Sequence, residues 1–367
     1  MSSKTRKQTQ TNKTIARTKK SQKKKTYSYL IKTDYYDIDM VNRLFTQRGN
    51  WEPYNPVIHE KPDFFYIDGL HIGNKELYNI KSGLKSLVGD GKKTVVVKNN
   101  LYRNLSVIPE ARKFLPWTVE LDIKGKTHSY LLGYKKYFHT GKPLICKIAN
   151  MGEGQNIIAT DRFDVWQKFM AGKISLLQKR PTLIMNKWVL QEYIANPLLK
   201  NGCKFHLRLM LLYQPGRRPS YYIRDARAAL AEAPYKAGDW TNKDIHDTHF
   251  HRREGLMFPR DFPEIPSQQI TNIYKQIDTI TKYVVKTITP NCYPDSQHCY
   301  EFFGLDLLIT DDYKVKLIEV NDRIGLSGTP EYKEMTFNGI MKLVVDKYYP
   351  PQNTQPEVSY KFFKIIE

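Results

Sequence analysis

Residues 302–321, FFGLDLLITDDYKVKLIEVN, decide how the chain is read. Two largely apolar runs flank TDDYK, a short polar stretch with turn chemistry. The pattern predicts an antiparallel hairpin whose turn centres on Asp312–Tyr313. Asp306 then lies opposite Glu319, and Gly304 opposite Asn321. Side chains alternate along a strand, so Glu319 and Asn321 share one face and Asp306 joins them from the neighbouring strand. Like charges placed opposite each other repel unless a cation lies between them. Two carboxylates and an amide oxygen form a hard-oxygen set suited to Mg2+, which keeps waters and substrate phosphates in its other positions. The glycine opposite Asn321 leaves room for a ligand. A solvent-facing polar stripe on an ordinary hairpin explains the same residues, so this stretch alone leaves both readings open.

Upstream segments carry further candidates. In CKFHLRLMLLY (203–213), Lys204, His206 and Arg208 alternate with Phe205, Leu207 and Leu209. One face packs, and the other offers a point charge and a guanidinium fork suited to phosphate oxygens. A solvated basic face is the plainer alternative. Lys147 lies late in the apolar run PLICKIAN, where an unpaired ammonium is costly. It precedes Gly152 and Gly154, which permit positive φ and bring backbone N–H groups to an anion, or simply make a hairpin turn. WVLQEYIANPLL (188–199) reads as a strand leaving its sheet at Asn196-Pro197, able to offer backbone groups to a purine edge. DIHDTHFHRR gathers His246, His249 and His251 around Asp247, which makes a transition-metal site a rival reading.

Around these motifs the chain reads as α+β. A helix is predicted over NKELYNIKSGLKSLV (74–88), with Leu77, Ile80, Leu84 and Leu87 at helical spacing. Further helices are predicted over 161–179, 267–288 and about 331–349. SYYIRDAR reads as one strand, and the strands together as mostly antiparallel with helices to one side. Net charge is +21 over 367 residues, and the first 26 residues contribute ten Lys/Arg and no acid. That low-complexity tail is expected to be disordered. The basic balance favours an acidic protein, an anionic surface or nucleic acid. Four scattered cysteines without CxxC spacing read as reduced. No apolar run spans a bilayer and no signal peptide is visible, so an intracellular, cytoplasmic protein with no membrane partner is expected.

The order of motifs carries more than any one of them. A strand lysine before a glycine loop, then Q-E-Y-I-x-N-P-L-L, K-F-x-x-R, an R-D-A-R strand ending in P-Y, F-F-G-L-D and L-I-E-V-N follow in register. Together they resemble the tubulin–tyrosine ligase family, a branch of the ATP-grasp superfamily, from about Lys142 to Pro351. The resemblance implies an ATP-grasp fold with ATP held between two lobes. It divides the chain into a tail (1–26), an N-terminal domain (27–116), a central lobe (117–192) and a C-terminal lobe (193–367). It also implies a ligase that joins a free amino acid to a protein carboxylate, which ATP first phosphorylates. An acidic acceptor such as tubulin would suit the basic body, and nucleic acid could engage the tail.

Carried over residue by residue, Lys147 and Lys204 look like phosphate-binding lysines. Gln191, Glu192, Tyr193 and Ile194 look like the adenine hinge. Arg208 resembles the arginine that steadies the transferring phosphoryl group or the acceptor, and Asp306, Glu319 and Asn321 resemble the Mg2+ ligands. Lys204, Arg208 and Arg227 form the catalytic set, and Thr248 and His249 belong with the nucleotide. Several positions depart from the family pattern. His206 stands where Asp is usual, and His249 replaces Asn in H-L-T-N. Arg227 lies two residues before its expected place, which Ala229 occupies, and Asp322-Arg323-Ile324-Gly325 replaces a stretch ending in Pro. The departures cluster at the acceptor and amino-acid positions. They keep open an alternative, a catalytically degenerate scaffold that binds nucleotide, acidic protein or nucleic acid.

Overall fold

The computed structural model describes residues 25–68, 76, 79–86, 89–150, 156–183, 185–248, 256–289, 296–322, 324, 329–355 and 362–366. The tail to residue 24, Gly152, Gly154, His249, His251, residue 323 and residues 325–328 lie outside these. The fold is α+β, and its described strands make three sheets.

The first sheet joins β1 (Tyr27–Lys32), β2 (Trp51–Pro53), β3 (Phe64–Ile67) and β4 (Ser82–Lys85). The second small sheet joins β5 (Thr118–Asp122), β6 (Leu144–Ile148), β7 (Ile158–Thr160) and β8 (Lys187–Glu192), in the order β5-β8-β6-β7. All its pairings are antiparallel. Its apolar face meets the helix Phe163–Lys179 through Trp166, Met170 and Ile174.

The largest sheet is built on β10 (Cys203–Tyr213), with β9 (Leu199–Lys200) at its start. Along one side of β10 run β11 (Ser220–Ile223) and β12 (Ala226–Leu230), followed by β13 (Leu256–Phe258). A further strand, β14 (Ser296–Cys299), belongs to the first sheet. β15 (Glu301–Ile309) pairs with the other side of β10, and β16 (Val315–Asn321) pairs with β15. β17 (Phe363–Ile366) closes the edge beyond β11.

β10 explains why one strand can organise the molecule. Phe205, Leu207, Leu209 and Leu211 enter a core shared with Ile273, Ile277, Ile280 and Val284 of the helix Ser267–Thr287. On the opposite face, Met210 and Leu212 enter a core shared with the first sheet and with Phe337 and Ile340 of the helix Pro330–Ile340. That face changes character toward its start, where Lys204, His206 and Arg208 replace apolar residues. Alternation with period two therefore gives one strand two cores and one polar site.

Four expectations are corrected. The first sheet is wholly parallel, in the order β14-β4-β3-β1-β2, so "mostly antiparallel" describes only the other two. The helix predicted over 74–88 gives way at Ser82–Lys85 to β4, whose four residues are buried between β3 and β14. Gly83 suits this strand because a Cβ there would lie 2.1 Å from the Tyr349 hydroxyl. SYYIRDAR is two strands, broken at Arg224–Asp225, where the Arg224 N–H turns to the Phe362 carbonyl at 2.9 Å. Finally, Cys146 and Cys203 are free thiols but Cys299 is disulfide-bonded, so the cysteines are not all reduced.

Arg48, at the end of the helix Ile38–Gln47, ties the N-terminal layer to the C-terminal helices. It is fully buried, donating to Asp346 at 2.8 and 3.2 Å and to the Leu44 carbonyl at 2.9 Å. Burial raises the Asp346 carboxyl above its ordinary pKa, although Arg48 pulls it down. Arg48→Met would strand that carboxylate, at a cost of about 3 kcal/mol. Urea unfolding should show the lowered midpoint.

Candidate active site

The hairpin of β15 and β16 reaches its predicted register by an unpredicted route. Near the turn, Ile309 pairs with Val315 and Leu307 with Leu317, which centres the turn on Asp312 rather than Asp312–Tyr313. A bulge then leaves Ile318 as an extra residue, and beyond it Asp306 lies opposite Glu319 and Gly304 opposite Asn321. Bulges re-aim side chains, and here one turns both carboxylates toward a single cleft.

Asp306 and Glu319 are 2% and 8% exposed, so the polar-stripe alternative fails. Cations hold the pair. The Arg208 guanidinium grips Asp306 through Nε and Nη2, the latter at 3.0 Å. Lys98 Nζ lies 3.0 Å from Glu319 Oε2. Between the carboxylates the Asn321 amide lies 3.2 Å from an oxygen of each. His206 Nε2 approaches Asp306 at 3.7 Å, and its Nδ1 shares a 2.6 Å hydrogen bond with Thr248 Oγ1. Burial opposes the charge on Arg208, but Asp306 outweighs it and raises the guanidinium pKa. The space left by Gly304 is filled by protein rather than a ligand, since a Cβ there would lie 2.7 Å from Arg208 Cδ and 2.5 Å from Ile324 Cγ2.

A cleft of about 330 Å³ opens between the four-stranded sheet and the start of β10. Lys147, Gln191, Glu192, Tyr193, Ile194, Lys204, Thr248, Asp306 and Glu319 all line it. Arg208 and Asn321 are not part of its lining but hydrogen-bond Asp306, which is. Arg227 lies opposite Arg208 on β12, so its two-residue displacement keeps it on the same face. His249 falls outside the described residues.

Burial moves the two predicted phosphate lysines. Lys147 is lowered to about 8, by burial first and by Lys98, against an upward pull from Glu319. Lys204 is lowered to about 7 by burial and by Lys147, while Asp247 opposes the shift. Lys204 donates to the Tyr193 hydroxyl at 2.7 Å, which meets His246 Nδ1 at 2.6 Å. His246 Nε2 donates to the Asp239 carbonyl at 2.7 Å, so both its nitrogens are engaged. Among the described residues no group of three or more His, Cys, Asp or Glu is placed to hold a metal. His249 and His251, on which the transition-metal alternative depends, lie outside the described residues.

Sequence reading missed two residues. Lys98 opens the helix Lys98–Ser106, and its cation-first helix start was the only local signal. Trp240 lines the cleft beside Tyr193 and His246, with ring centroids 5.2 and 5.7 Å apart.

The sheet-bounded cleft, its paired acids and its lysines define a class that comparison with known proteins makes specific. The family model described as "Tubulin-tyrosine ligase family" matches residues 92–252 and 251–357, and the chain belongs to that family. It is 22% identical over 296 residues to tubulin glycylase 3B of Tetrahymena thermophila, covering 74% of this chain and 24% of that protein. It is 24% identical over 290 residues to the probable tubulin polyglutamylase TTLL9 of Bos taurus, covering 65% and 61%. To the probable tubulin–tyrosine ligase PBY1 of Saccharomyces cerevisiae it is 28% identical over 184 residues, covering 44% and 23%. The chain thus spans between about a quarter and three-fifths of these relatives.

Gly304→Ala should push Arg208 off Asp306 and destabilise the fold by about 1–3 kcal/mol. A denaturant midpoint equal to wild type would contradict the packing described here.

Proposed function

We propose that this chain is an ATP- and Mg2+-dependent ligase that joins a free amino acid to a carboxylate of an acidic protein. On this reading the fold is an ATP-grasp, and the cleft between the lobes holds ATP. The observation that carries the reading is the buried Asp306–Glu319 pair at the end of a cleft lined by Lys98, Lys147 and Lys204. Phosphoryl transfer is mainly positioning and charge neutralisation, which calls for cations and a metal rather than a nucleophilic side chain.

The residues fit the metal. Both carboxylates come within 3.2 Å of one shared atom, the Asn321 amide nitrogen, so a single cation could replace that contact. A set of two carboxylates and an amide is small, as suits an ion that completes its shell with phosphate and water. When bound, Mg2+ would neutralise charge on the phosphates. Lys147 and Lys204 would bind phosphate oxygens, and the backbone around Gln191–Ile194 would take the purine. Arg208 would leave Asp306 to steady the acyl phosphate formed on the acceptor, with Arg227 beside it. The incoming amine would then displace phosphate.

The relatives described above are named for tubulin, which makes it the first acceptor to test, and a basic body suits an acidic one. The tail's charge would suit the same acceptor or nucleic acid. No described helix is long and apolar enough to cross a membrane. One observation favours nucleotide binding without turnover. His206 lies opposite Ala229, so two departures from the family pattern meet in space.

Co-expression with tubulin and mass spectrometry of acceptors should find added amino-acid masses with wild type and none with Glu319→Gln. Wild type without such masses, but with ATP affinity intact, would favour the binding-only reading. Nucleotide affinity should also fall as pH rises from about 6 to about 9, because Lys204 loses its charge near 7. Lys204→Met should bind weakly throughout and flatten that part of the profile. A wild-type affinity that rises with pH would contradict the assignment of Lys204.

A further inference from the structure

The bulge that aims Glu319 creates a structural debt. An extra residue in β16 removes Ile318 from the regular ladder and leaves its carbonyl half-buried beside the cleft, where an acceptor without a partner is costly. The Tyr102 hydroxyl meets it, donating to the Ile318 carbonyl at 2.6 Å, with the Leu317 carbonyl at 3.4 Å. Tyr102 is 4% exposed and packed in the main core.

Tyr102 follows Lys98 by four residues, so the two lie on one face of their helix. Lys98 holds the Glu319 carboxylate while Tyr102 holds the peptide immediately before it. Ile318 and Glu319 both line the cleft. One helix therefore grips the bulge and the side chain the bulge presents.

We infer that Tyr102 is a positioning residue: its hydroxyl fixes the Ile318 bulge and thereby the placement of Glu319 opposite Asp306. It touches no substrate. The inference rests on the proposed metal role of Glu319 for its functional consequence, though not for its structural one.

The test uses the full chain and Tyr102→Phe, which removes one oxygen and keeps the ring. Two readouts separate the inference from the reading beneath it. Hydrogen exchange in residues 315–322, without ligand, should quicken in Tyr102→Phe. ATP affinity measured with and without Mg2+ should lose about tenfold of its metal dependence, as outer-shell changes do at metal sites. Leu105→Ala, on the same helix but buried in the core, should lower overall stability and leave the ratio of the two affinities unchanged. Unaltered exchange in Tyr102→Phe would overturn the inference even if wild type binds ATP with Mg2+. So would quickened exchange with an unaltered metal dependence. A wild type whose ATP affinity ignores Mg2+ would overturn the metal assignment and the functional half of the inference, and the exchange result would still decide the structural half.

Discussion

Two carboxylates face each other on adjacent strands, and much of the site follows from what that requires. At roughly 5 Å and an effective dielectric near 20, their repulsion is about 3 kcal/mol. Neither is in a position to shed charge into water. Arg208 from β10 and Lys98 from an N-terminal helix offset the repulsion at about 3 Å. Removing either acid would leave a buried cation stranded, which is why the cluster behaves as a unit.

The architecture delivers those cations. β10 carries Arg208 beside β15, and an alternating pattern lets the same strand anchor two cores. Gly304 keeps β15 open enough for the arginine stem to pass. The lysines come from elsewhere, Lys147 from the four-stranded sheet and Lys98 from the helix before it. Nucleotide binding on the proposed reading would therefore report on how the two sheets are held together.

The sequence was most legible where local alternation also set the chemistry. Asp306, Glu319, Lys204 and Arg208 could be placed because a period of two fixes faces whatever the surrounding fold. The turn centre was half a register out, and the Ile318 bulge restored the pairing at the acids, a compensation that no local pattern announces. Lys98 escaped because its partner is distant in the chain. The parallel first sheet escaped for a similar reason, since its strands are short and β14 comes from beyond the long helix. Ser82–Lys85 misled because leucines at helical spacing also suit a strand buried on both sides. The family resemblance, by contrast, rested on motif order and is sustained over residues 92–357.

The central claim is that the acids and lysines of this cleft hold a metal nucleotide between two sheets. It is tested most directly by determining the structure with Mn2+ and a non-hydrolysable ATP analogue, and locating the metal by anomalous scattering. The account predicts one strong peak bridging Asp306 and Glu319, phosphates against Lys147 and Lys204, and Arg208 withdrawn from Asp306. A bound analogue with its metal elsewhere, or with Arg208 still gripping Asp306 and no peak between the acids, would contradict it.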